Sequence, residues 1–260
     1  MNELETFLTT GVFSFLLTFV RVGTIIMIMP GISNTYVPTP VRLLFSLGLT
    51  LVMAPFVNRF LPAEIPASNI LFVMLTVEFL IGAFIGTIAR VLIAALDTAG
   101  MIVSTQSSLA NAQLFNPAFA SQGSIIGSFL TLTGILLLFT TDLYHFLLIG
   151  ILRSYEIFPI GVMPDISDLT KTMIDAVAAS FMVGIQITAP FLIIILIMYV
   201  SMAVMSKLMP AVQVFMIAIP LQILLSLFIL MGVVSAMMLV WLGQYEQGMS
   251  LFTFIGDAKG

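Results

Sequence analysis

Between Phe7 and Met29 an apolar run carries a single charge, Arg21, and five more long apolar runs follow it along the chain. Runs of this length constrain the fold more than any motif, because a helix needs about 20 consecutive apolar residues to cross the hydrocarbon core of a bilayer. The later runs cover residues 41–57, 69–99, 124–152, 173–206 and 211–242. Of the 260 residues, 60% are hydrophobic and only 8% charged, and the mean hydropathy is +1.21. A soluble domain carries about 25% charged residues to cover its surface, so lipid is the expected solvent. The expected fold is an all-α integral membrane protein. It forms one membrane domain over residues 1–260, with about six long, partly kinked hydrophobic helices arranged in hairpins. The acidic start, Glu3 and Glu5, lacks the positive region of a secretory signal, so the first run is read as a retained helix.

Several function classes drop out early. There are no cysteines, which excludes disulfides, thiolate catalysis and Cys-ligated zinc. The net charge is −4 and no basic run exists, so nucleic acid has no electrostatic footprint to bind. No zinc-protease, phosphate-loop, nucleophile-elbow or dinucleotide motif occurs, and one histidine without a second His or Cys makes a poor metal site. No enzyme activity, metal or cofactor is expected. Flanking charges do not orient the chain: Arg59, Arg153, Lys171 and Lys259 on one set of loops face Arg42, Arg90 and Lys207 on the other, too even a split for the positive-inside rule.

Breaks are expected at Pro30-Gly31 and, in the last two segments, at Pro190, Lys207, Pro210 and Pro220. The stretch from Asp97 to Ser124 is rich in Ser, Gln, Asn and Ala. It is too polar for lipid and too apolar for a free linker. Such backbone survives at membrane depth where protein buries it or where it lines a wet cavity.

Three groups of side chains stand out. Glu78, Gly82, Gly86 and Arg90 recur every fourth residue and form one helix stripe. Gly82 and Gly86 make a GxxxG, which lets another helix approach closely, within the chain or in a partner. Glu78 is either part of that packing face or a proton-carrying group. Glu78 and Arg90 lie about 18 Å apart along a helix, so each needs a different partner. Arg21 either snorkels to the interface or pairs with a buried acid across a helix contact. Asp142 and His145, at i and i+3, share a face and form a candidate buried polar pair, read as mutually satisfied or as a proton relay. The 18 methionines read as apolar packing.

The order and spacing of the breakers and charges resemble the FliR family, the R subunit of flagellar and related type III export gates. The marks run over nearly the whole chain: Arg21 and Pro30; Val37-Pro38, Val41-Arg42 and Pro55; Glu78 with Gly82 and Gly86; Ala99-Gly100, Gln106 and Asn116-Pro117; His145, Ser154-Tyr155 and Pro159-Ile160-Gly161; Ala189-Pro190; Lys207; Pro210 to Phe215; and Pro220. The resemblance implies a structural, pore-forming subunit that passes unfolded export substrates across the bacterial inner membrane, within the flagellar basal body or secretion apparatus. It implies P and Q gate subunits (FliP, FliQ) and FlhB- and FlhA-type subunits as partners. It also implies helices lifted from a normal transmembrane arrangement, and a plug loop over residues 106–122 that includes Gln106, Asn111, Leu114, Phe115, Asn116, Pro117 and Phe119. The sequence departs from the family pattern at Ser104 and Ser108, where glycine is common, and at Gln222, where lysine is common. The alternative is a stand-alone proton-coupled transporter with Glu78, Asp142 and His145 as its titrating groups; the repeats that such a transporter would carry are not evident.

Overall fold

The computed structural model describes residues 2–33, 37–62, 66–109, 124–209 and 214–254. Among these the chain is helical without strands: α1 (Asn2–Ile28), α2 (Thr39–Val57), α3 (Ser68–Gln106), α4 (Ile125–Thr140), α5 (Leu143–Ile157), α6 (Ile166–Leu208) and α7 (Val214–Phe254). A 3₁₀ turn, Asn58–Phe60, follows α2. Five of these helices are long and apolar enough to cross a membrane, or six spans if α4 and α5 count as one broken crossing. The protein is an all-α integral membrane protein.

Local chemistry sets the helix ends. Pro38 is extended (φ −59°, ψ 140°) and Pro40 falls in the first turn of α2, where its missing N–H costs nothing. At α6, the Asp165 carboxylate accepts the Ser167 N–H at 2.8 Å and its carbonyl accepts the Leu169 N–H. Asp168 sits in the first turn of α6 and Lys207 in the last, each complementing the helix dipole. Several hydroxyls inside the apolar helices are satisfied locally: Thr18, Thr24, Thr50, Thr76 and Thr133 each donate to the carbonyl four residues back. This pairing lets a threonine sit in an apolar helix without an orphan donor.

Two expectations about breaks are corrected. Pro190 lies inside α6 and Pro220 inside α7, and both helices continue through them. Proline removes one N–H per site, and a membrane helix tolerates this where local adjustment pairs the freed carbonyl. Lys207 belongs to the last turn of α6; Pro210 lies outside the described residues. The fourth apolar run, in contrast, is two helices. Asp142 takes the left-handed conformation (φ +59°) between α4 and α5, and no proline or glycine stands there to announce it.

Contacts within the chain group into two compact units. The first comprises residues 1–92, 139–176 and 246–260. Its core joins Phe13 and Leu17 of α1, Val57, Met74 of α3, Tyr155 of α5 and Ile160. Gly161 (φ +79°) turns the chain there, against Met74. The second comprises residues 93–138 and 177–245. In it Gly100 of α3 and Gly127 of α4 face each other so closely that a Cβ on Gly100 would overlap the Gly127 backbone. Trp241 of α7 packs in the same unit against Gly134, beside Leu96.

Candidate functional site: a buried arginine–glutamate clamp on a glycine face

The stripe on α3 faces α1. A Cβ on Gly82 would stand 2.7 Å from the Arg21 carbonyl oxygen, and one on Gly86 would stand 2.9 Å from Ile28 Cβ. The two glycines therefore remove the side-chain layer that would hold the helices apart. Dispersion and polar contacts then decide the packing, since lipid offers no hydrophobic gain for joining two apolar helices. Glu78, one turn before Gly82, completes the face. Arg90, one turn after Gly86, is exposed and does not join the α1 contact.

Close approach brings Arg21 and Glu78 together. Arg21 Nε donates to Glu78 Oε2 at 2.6 Å and Nη2 to Oε1 at 3.0 Å, and both side chains are wholly buried. The same guanidinium reaches α5. Nη1 donates to the Ser154 carbonyl (3.1 Å) and hydroxyl (3.3 Å), and Nη2 to the Phe158 carbonyl (2.9 Å). The five N–H groups of an arginine are matched by these five bonds. The Tyr155 ring lies beneath the guanidinium, 4.0 Å from Cζ to the ring centroid, a cation–π contact that strengthens when water is excluded. Arg21 thus ties α1 to α3 through charge and caps α5, whose last carbonyls carry the negative end of the helix dipole.

The geometry of one buried charge decides its role. An unpaired charge at membrane depth is strongly unfavourable, and here charge and donors are balanced within one cluster. Glu78 has both oxygens engaged by Arg21, so the cluster holds three helices in register. Ser154, Tyr155 and Phe158 enter the cluster from a segment 133 to 137 residues away. In the sequence only Ser154-Tyr155, as family marks, point to this contribution. A second link, between Ser14 of α1 and Asn58 after α2, joins the same unit.

Asp142 and His145 are corrected as a buried pair. Their side chains are 85% and 70% exposed, with Asp142 Oδ1 and His145 Nδ1 3.5 Å apart. Asp142 precedes the first turn of α5 in place of lying on a continuous helix, and the pair faces outward. Of the plug residues, Gln106 is half-buried at the end of α3; Asn111, Leu114, Phe115, Asn116, Pro117 and Phe119 lie outside the described residues. Ser108, at φ +60°, donates its hydroxyl to Gln222 Oε1 of α7 at 2.6 Å. Gln222 Nε2 and the hydroxyl of Ser226, one turn on, are buried without partners. Among the described residues no cluster of His, Asp or Glu could hold a metal ion.

The model of the family described as bacterial export proteins, family 1, matches residues 12–248. The flagellar biosynthetic protein FliR of Caulobacter vibrioides is 34% identical over 238 residues, covering 91% of this chain and 94% of its own. FliR of Aquifex aeolicus is 27% identical, covering 83% of both chains. The Yop proteins translocation protein T of Yersinia pestis is 30% identical over 147 residues, 56% of each chain. With the helical membrane fold above, these matches make the chain a member of the FliR family of bacterial export proteins, a structural component of a membrane-embedded export apparatus and not an enzyme.

Proposed function

We propose that the chain is the R-type subunit of a type III export gate in the bacterial inner membrane. There it assembles with P- and Q-type subunits (FliP, FliQ), meets FlhB- and FlhA-type subunits, and helps form the pore through which unfolded substrates leave the cell. The observation that carries this reading is the match to FliR of Caulobacter vibrioides, at 34% identity over 91% of the chain. Helix length supports assembly with other proteins. The 43 residues of α6 and 41 of α7 correspond to about 60 Å each, roughly twice the hydrocarbon thickness of a bilayer. Partner subunits would cover the surplus, including exposed residues such as Leu196 and Met231.

Residues 106–122 serve in this reading as the plug that closes the pore at rest. The proton-coupled transporter needs Glu78 to titrate, and both of its oxygens are held by Arg21; no observation favours it.

The test is co-expression with P- and Q-type subunits in a strain lacking this chain. The expected result is a detergent-stable complex of all three and restored secretion of export substrates. Replacing residues 106–122 by a short Gly/Ser linker is expected to raise ion leak through the complex. A chain that purifies alone, binds neither subunit and does not restore secretion would overturn the assignment.

A further inference from the structure

The clamp and the glycine face occupy the interior of the first unit. On its outside, where α2 gives way to the 3₁₀ turn and the last two turns of α5 pass beside it, lies a groove of about 460 Å³. Its apolar wall includes Phe56, Ile149 and Leu152, and its rim carries Arg59, Arg153 and Glu156.

The rim sets two arginines against one glutamate. Arg59 is 70% exposed and rests over the Phe60 ring at 4.6 Å. It gives Glu156 a bond from Nη2 at 3.0 Å, one donor of the five in its fork. The groove also sits at a particular depth. The 19 residues of α2 rise about 28 Å, close to one hydrocarbon thickness. Arg59 follows the last of them by two residues. The rim therefore falls at headgroup level if α2 spans, and the apolar wall continues away from it: Phe56 and Val52, one turn apart on α2, are both exposed, as are Ile149 and Phe146 on α5.

A ligand matching both parts has an anion at one end and hydrocarbon at the other. A free phosphate would use the rim alone. Basic pockets between membrane helices are a recurrent mode of anionic headgroup recognition. We propose that this groove binds an anionic phospholipid, its phosphate between Arg59 and Arg153 and an acyl chain along Phe56 and Ile149. Glu156 then acts as a brake, competing with the phosphate for Arg59. The proposal rests on the membrane fold and not on the gate assignment.

The experiment is native mass spectrometry of the full chain, with whatever subunits co-purify, titrated with phosphatidylglycerol, phosphatidylcholine or inorganic phosphate. Phosphatidylglycerol is expected to bind in preference to phosphatidylcholine. Arg59→Gln and Arg153→Gln are each expected to weaken that preference about fivefold, the weight of one basic residue at an anionic headgroup, and Glu156→Gln to strengthen it by a similar factor. A gain from Glu156→Gln separates recognition from folding, because a merely structural ion pair would only lose by its removal. If the arginine variants fail to assemble, the glutamine variant decides alone. Equal binding of the two lipids, an unchanged preference in Glu156→Gln, inorganic phosphate binding as well as the lipid, or a polypeptide seated in the groove would each overturn the proposal.

Discussion

Arg21 and Glu78 form a bidentate ion pair with neither side chain accessible, and the arginine spends its remaining donors on the end of α5. Removing one member of a buried pair typically costs about 3–5 kcal/mol, because the other is left charged and unmatched. Arg21→Met and Glu78→Met are each expected to lower the thermal stability of the detergent-solubilised protein sharply. The double variant is expected to be less damaged than either single. Equal losses in all three would show that the charges do not act as a pair.

Arg21→Lys is expected to fail as a substitute. Lysine offers three donors around a point charge and cannot hold two carboxylate oxygens and two α5 carbonyls in a planar fork. Hydrogen exchange at the end of α5, around Ser154 to Phe158, should accelerate in this variant while the middle of α1 stays protected.

The glycine face gives a contrast with a built-in control. At Gly82 an added methyl meets the Arg21 carbonyl at 2.7 Å, whereas at Gly48 nothing lies within 4 Å. Gly82→Ala is expected to destabilise by about 1–3 kcal/mol, the usual range for overpacking. Gly48→Ala is expected to be neutral or stabilising, by up to about 1 kcal/mol, since alanine is the better helix former. Parallel thermal melts of the two variants check the sign.

Ser108 and Gln222 pair at a strained position. Ser108→Gly frees the left-handed backbone but loses the hydroxyl, and Ser108→Ala loses the hydroxyl while keeping the strain. Leaving the Gln222 oxygen unpaired costs about 1–3 kcal/mol, while the left-handed backbone costs serine and alanine alike about 1–2 kcal/mol that glycine avoids. Ser108→Ala should therefore be the least stable of the three, with Ser108→Gly recovering about 1–2 kcal/mol of its loss, measured by heat-induced aggregation in detergent. Gln222→Met is expected to be milder than Ser108→Ala, because it also removes the orphan amide nitrogen.

His145→Ala is expected to change stability by less than about 0.5 kcal/mol, as exposed substitutions generally do, and to leave export in a secretion assay unaltered. A large loss of export with normal protein levels would revive the relay reading.

The apolar runs were legible because lipid demands them, and the helices follow closely: α2 from Thr39 against residue 41, α3 from Ser68 against 69. Hydropathy was a poorer guide to ends. It stopped the third segment at 99, yet α3 runs to Gln106 through Ser104 and Thr105, whose hydroxyls find partners. Pro190 and Pro220 read as breaks because proline breaks soluble helices, while the real break at Asp142 left no mark in composition. The four-residue spacing revealed a packing face on α3 but could not name α1 as its partner, since 57 residues separate Arg21 from Glu78. The i, i+3 spacing of Asp142 and His145 predicted their pairing, but burial depends on which way α5 starts, and that follows from one left-handed residue.

Synthesis proceeds from the amino end, so Arg21 is made long before its counter-ion, and the α5 carbonyls come later still, 133 and 137 residues downstream. Until then the nascent first segment holds a cation that bare lipid will not accept. It must wait beside the insertion machinery, or with its charge at the water boundary, for its later neighbours. A ribosome halted before residue 78 would leave that segment with its one charge unmatched.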